Sequence, residues 1–188
     1  MMYGRDGSPK TPQGFKVAAT SYAKLEAVAD DLRKLLPVMR GISPYHLDAG
    51  WILERTLPHA GYNYRSGDIS KLGECAAFTI PEKGLVVLRE DVYDGLEVDN
   101  VFSRSTVVHE LSHIVLDHAV SLQRGGAAGD HKFYADSEWQ AKALTAALMM
   151  PIEAAKIARN PRTLAAMCGT SVQAATYRID RLTKDNLI

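Results

Sequence analysis

Residues 105–118 read STVVHELSHIVLDH, and inside them His109, Glu110 and His113 follow an HExxH spacing. Two imidazoles four residues apart with a carboxylate between them suit zinc and an activated water. An α-helix turns about 100° per residue. With His109 at zero, His113 falls at about 40° and Glu110 at about 100°, so the three share one side. Val107, Val108, Leu111, Ile114 and Val115 fill the opposite arc. Both histidines then reach one ion at about 2.0–2.1 Å without bending the backbone, and Glu110 sits off axis, beside a water rather than the metal. Five-residue strings of this kind also arise by chance. Here the apolar back buries the helix and leaves its polar face in need of a partner.

The same angular count sorts the other ionisable groups. His118 falls at about 180°, on the core side, and reads as a hydrogen-bonded group at the helix C-terminus rather than a ligand. Asp117 falls at about 80°, one turn past His113, where it either orients a ligand histidine or sits solvated at the surface. A three-histidine HExxHxxGxxH site needs glycine and histidine where this chain has Leu116 and Ala119, so that arrangement is excluded. A glutamate from a second helix is the other common solution. Glu138, 25 residues after His113 in the first turn of a buried helix, is the leading candidate. An acid there also favours the helix dipole, and Asp136, His131 and Asp117 stay open as alternative third ligands.

The elements that must position these groups are mostly helical. Leu25, Val28, Leu32, Leu35 and Leu36 give residues 17–37 one apolar face, ended by Pro37. Ser43 as cap and Pro44 in the first turn predict a second helix over 43–57. Segments 61–66, 75–80 and 84–89 read as strands of a small sheet, with a PEKG turn between the last two. Residues 90–96 predict a short helical turn and 100–118 the motif helix. Residues 121–137 are Gly-rich and polar, a flexible loop able to gate a cleft or serve only as a linker. Residues 137–151 are apolar on almost every side, with Ser137 and Gln140 resembling a capping box. Three short helices follow over 152–159, 161–168 and 171–186. The expected fold is α+β, a mostly helical minimal core with a small antiparallel or mixed three-stranded sheet and a closing helix-turn-helix-like segment. The expected organisation is a flexible tail over 1–16, a core over 17–151, and a helical segment over 152–188 packed on that core.

Composition narrows the function. The chain has 188 residues, 46% of them apolar, enough for one domain with a real core. Lys plus Arg and Asp plus Glu are each 22, so there is no general pull toward nucleic acid or membrane. Cys75 and Cys168 read as buried small hydrophobes, which with no apolar leader or membrane-length segment points to the cytoplasm. The tail from 152 to 188 carries six basic against three acidic residues, which raises a DNA-binding alternative through Arg178 and Arg181. Composition sets no oligomeric state.

HELSHIVLDH followed by EWQAKALTAALMMP resembles the ImmA/IrrE family of zinc metallopeptidases. In that family an HELGH-type helix precedes a helix that opens with a glutamate ligand and runs close to Glu-x-x-Ala-Asn-x-Phe-Ala-x-x-Leu-Leu-Met-Pro. Glu138, Ala141, Leu148, Met150 and Pro151 match. Lys142 stands where Asn or Asp is usual, Leu144 for Phe, Thr145 for Ala, Met149 for Leu, and Ser112 for Gly. None of these falls at a catalytic position, though Lys142 puts a charge where the family has an amide. The resemblance spans residues 17–188 and is specific where the two helices pair. It implies one zinc ion held by His109, His113 and Glu138, and Glu110 as general base. It also implies proteolysis of a helix-turn-helix repressor encoded nearby, on a mobile element or in a stress response, and a closing segment that packs on the core instead of reading DNA. Tyr134, with His131 and His118, is a candidate donor to the oxyanion. The contrasting expectation is a metal-binding regulatory or toxin/antitoxin component that acts by binding, without proteolysis.

Overall fold

The computed structural model describes residues 14–117 and 131–188. It is a mostly helical α+β fold around a three-stranded sheet. Helix α1 (Tyr22–Arg33) is capped by Ser21, whose hydroxyl accepts from the Lys24 amide. It is shorter than the 17–37 pattern: Leu35 is 79% exposed and lies outside the apolar face assigned to it. The second helical run starts at Asp48, not Ser43. Asp48 accepts from the Trp51 amide and opens α2 (Ala49–Trp51), a π-helical turn (Ile52–Thr56) and α3 (Leu57–His59). Asp is as good a cap as Ser, and the buried Ala49, Ile52, Leu53 and Leu57 fix the start here. Ser43 instead accepts from the Tyr45 amide in a preceding turn.

Strands β1 (Asn63–Gly67), β2 (Ala77–Ile80) and β3 (Leu85–Arg89) lie in the order β1-β3-β2, with the short helix α4 (Ile69–Leu72) between β1 and β2 in sequence. The sheet is mixed: β1 runs parallel to β3 from Asn63↔Leu85, and β2 runs antiparallel to it from Ala77↔Leu88 to Ile80↔Leu85. A continuous apolar run suits the central strand, and Val86, Val87 and Leu88 are buried. The β2–β3 turn ends at Gly84, with φ +52° and a Cβ position only 2.3 Å from the Gly61 carbonyl oxygen, so only glycine fits. β2 is left at the edge, against the motif helix.

Helix α5 (Glu90–Glu97) leads to α6 (Val101–Val115), which pairs with α7 (Ser137–Met149) at the centre of the molecule. Two departures from the family pattern meet across that pair. Ser112 Oγ donates to the Val108 carbonyl and lies 3.0 Å from Thr145 Oγ1. Thr145 in turn donates to the Ala141 carbonyl. Each hydroxyl is satisfied by a carbonyl of its own helix, where glycine and alanine would bring no polar group to satisfy.

Helices α8 (Ile152–Ala158), α9 (Pro161–Cys168) and α10 (Val172–Lys184) close the chain. Two buried arginines fasten them. Arg178 of α10 forms a fork with Glu26 of α1 and donates through Nε to the Met150 carbonyl. Arg104 of α6 pairs with Asp99 at 2.9 Å and donates to the carbonyls of Leu47, Cys168 and Gly169. Cys168 is buried, and burial pushes its thiol up to about 11; Cys75, expected inside, is exposed. Residues 14–16, expected in a flexible tail, pair with the approach to α7: Lys16 bridges Asp136, and Ser137 donates to the Phe15 carbonyl. No helix among the described residues is long and apolar enough to cross a membrane.

Candidate metal centre

The motif helix begins at Asn100, whose side chain accepts from the amides of Phe102 and Ser103. Its back is buried at Val107, Val108 and Leu111, while Val115, in the last turn, is 38% exposed. On the front, His109 Nε2 and His113 Nε2 are 3.1 Å apart. Glu138 reaches across from the first turn of α7, with Oε2 at 3.4 Å from His109 Nε2 and Oε1 at 3.1 Å from His113 Nε2. Ligands about 2.05 Å from a tetrahedral zinc stand roughly 3.3 Å from one another. The three separations match that figure. Among the described residues this is the group of His, Cys, Asp or Glu donors that converges on one point. Hydrogen bonds from the two histidines hold the Glu138 carboxyl well below the ordinary carboxylate range, against the opposing effect of burial.

Glu110 is 6% exposed and faces the same cleft. Its Oε2 accepts a hydrogen bond of 2.7 Å from Thr79 Oγ1 on β2. No spacing in the sequence points to Thr79, which lies 31 residues upstream on a strand whose register only the fold sets. The hydroxyl sets the carboxylate plane and engages one of its two oxygens.

Asp136 does a different job from the one left open for it. Its Oδ1 accepts from the Trp139 amide and so caps α7, the role expected of Ser137. Its Oδ2 accepts from the Gly14 amide and lies 3.0 Å from His131 Nε2. The His131 and Asp136 side chains are 1% and 2% exposed and bind each other, not the His109–His113 pair. Ser137 Oγ takes the Phe15 amide, and Gln140 Nε2 donates to the carbonyls of Ala18 and Tyr134. The N-terminal segment therefore braces the start of α7. A Cβ on Gly14 would come within 2.9 Å of the Glu138 side chain.

The remaining candidates are not brought to the group. Asp117 follows the C-cap Leu116 and has φ +52°, so the helical angle count does not extend to it. It lines a separate cavity with Lys24 and Gln140. The Tyr134 ring stacks edge-on against Phe133 with Lys132 5.7 Å from its centroid, and it does not line the cleft of His109 and Glu110. His118 and residues 121–130 of the Gly-rich loop lie outside the described residues. Lys142, 57% exposed, brings Nζ to 3.9 Å from Glu138 Oε2. Of the DNA-contact candidates, Arg178 is buried on Glu26, while the partly exposed Arg181 pairs with Asp185 and lies 3.6 Å over the Tyr22 ring.

A family model, the IrrE N-terminal-like domain Peptidase_M78, matches residues 102–180. That span takes in almost all of α6, the whole of α7 and most of the C-terminal helices. Over that span the chain is similar to the IrrE N-terminal-like domain. No curated protein matches the chain.

Proposed function

We propose that this chain is a zinc-dependent endopeptidase whose substrate is a helix-turn-helix repressor protein. His109, His113 and Glu138 hold the single ion. When bound, zinc polarises the scissile carbonyl and lowers the pKa of a water toward about 7. Glu110 takes the proton of the attacking water and delivers it to the leaving amine. Thr79 keeps the Glu110 carboxylate in one orientation through both transfers. Because Thr79 belongs to edge strand β2, a substrate segment added to that edge is drawn alongside Glu110. The catalytic core is residues 17–151, and residues 152–188 are a helical segment docked on it through Arg178 and Arg104.

The observation that carries this reading is the trio of donor separations, 3.1, 3.1 and 3.4 Å, with a braced carboxylate on the next residue of the same helix. The test is incubation of the zinc-loaded chain with a helix-turn-helix repressor protein. Wild type is expected to cut the repressor and Glu110→Gln to leave it intact. Equal cleavage by both would reject Glu110 as the base. Repressor bound and inactivated without any cut would favour action by binding alone.

A further inference from the structure

A groove of 1170 Å³ runs from His109 and Glu110 between α6, α7 and α10. α10 presents two neighbouring faces. Ala175, Arg178 and Leu182 are buried against the core. One residue back, Ala174, Tyr177, Arg181 and Lys184 recur at helical spacing and line the groove. Tyr177 is 52% exposed there. Beneath this stripe α7 contributes the small Ala143 and Ala146, with Trp139 before them and Met149 after them along the helix. Stripe and floor together leave room for the bulky side chains of another polypeptide.

Cations outnumber carboxylates along the groove. Apart from Glu110 and the Arg178 already paired with Glu26, the groove is lined by Lys142, Arg181 and Lys184 against Asp180. Lys142 lies near Glu138, and Arg181 is paired with Asp185. Lys184 is the cation whose reversal disturbs neither pair.

We propose that the C-terminal helix α10 is a specificity wall of the catalytic cleft. Its Ala174–Lys184 stripe receives a substrate segment that carries a bulky apolar side chain with acidic residues beside it. Continuity supports the assignment: the groove that holds the stripe also holds His109 and Glu110, so an extended chain seated for attack, advancing about 3.3 Å per residue, passes α10 within a few residues of the cut. Shape sets the apolar requirement and charge the acidic one. The inference rests on reading the metal centre as a peptidase site.

The test uses two fluorescent peptides, each with a Leu-Phe centre, one flanked by glutamates and one by lysines. Binding is measured on the full-length, zinc-loaded Glu110→Gln protein, alone and with Tyr177→Ala or Lys184→Glu added; zinc content checks that each variant is folded. The glutamate peptide is expected to bind more tightly. Tyr177→Ala is expected to weaken it roughly tenfold through lost apolar contact. Lys184→Glu is expected to weaken it roughly fivefold and to shrink the preference over the lysine peptide. Equal binding of the two peptides, or binding unchanged in both variants, overturns the assignment. A parallel digestion of a proteome-derived peptide library by wild type separates the two claims. Discrimination by the Glu110→Gln protein with no cleavage by wild type keeps the groove and rejects the peptidase. Cleavage whose site preference is untouched by Tyr177→Ala and Lys184→Glu keeps the peptidase and rejects the groove.

Discussion

Arg178–Glu26 and His109–His113–Glu138 are both polar clusters that join helices far apart in sequence, and they are built to different ends. In the first, guanidinium and carboxylate meet as a fork, the remaining Nε goes to the Met150 carbonyl, and the side chains are 3% and 11% exposed. Charge and hydrogen bonds balance within the protein. In the second, three donor atoms point at one another from side chains 17–32% exposed, along the wall of a cleft. Two imidazoles and one carboxylate there converge on a shared point. A buried pair that closes on itself holds helices together; a partly open group that converges on a point is suited to a cation.

Arg178→Ala breaks the closed cluster most severely. It leaves Glu26 buried without its partner, and stability measured by denaturant unfolding is expected to fall by about 3–5 kcal/mol. The folded fraction is expected to keep its zinc. Glu110→Gln acts on the open site alone. Hydrolysis is expected to drop roughly 10²- to 10⁴-fold in a peptide assay, with zinc content and melting temperature nearly unchanged. Ser112→Ala removes one hydroxyl behind the metal helix, away from the open face. It is expected to cost about 0.5–1.5 kcal/mol in the same unfolding experiment. A much larger loss would mean that the Ser112–Thr145 contact also positions the histidines. The smallest effect at neutral pH concerns the two thiols. A neutral-pH thiol reagent is expected to modify exposed Cys75 promptly and to reach Cys168 only on unfolding. Burial raises the Cys168 pKa from 9.0 to about 11, so the folded state keeps a proton that the unfolded state loses. Stability is therefore expected to decline as pH rises between those values, and Cys168→Ala to flatten that slope.

The shared face of His109, Glu110 and His113 was readable because it depends on local geometry: HExxH fixes its own angles on one helix, and Glu138 lies in the first turn of a helix whose apolar character is plain. A small three-stranded sheet and the three closing helices were legible from alternation, caps and turns, but not the parallel pairing of β1 with β3. The failures share one cause, which is that distant contacts decide among locally equal choices. Ser43 and Asp48 are comparable caps, as are Ser137 and Asp136, and burial of Ala49 and the Gly14 amide select the aspartates. Thr79, His131 and the Ser112–Thr145 pair gain their roles from strand and helix packing that no residue spacing encodes. Asp117 was misplaced because the helix stops at Val115, and an angle counted past the end of a helix has no meaning.

The central claim is that the open cluster takes one zinc ion through His109, His113 and Glu138, with Glu110 beside it but not a ligand. Zinc titration with elemental analysis, run on wild type, Glu110→Gln, Glu138→Ala and Asp136→Asn, tests this most directly. The expected result is one zinc per chain in wild type and Glu110→Gln, loss of stoichiometric zinc in Glu138→Ala, and retention in Asp136→Asn. Absence of zinc from wild type, or full stoichiometry and unchanged affinity in Glu138→Ala, would contradict it.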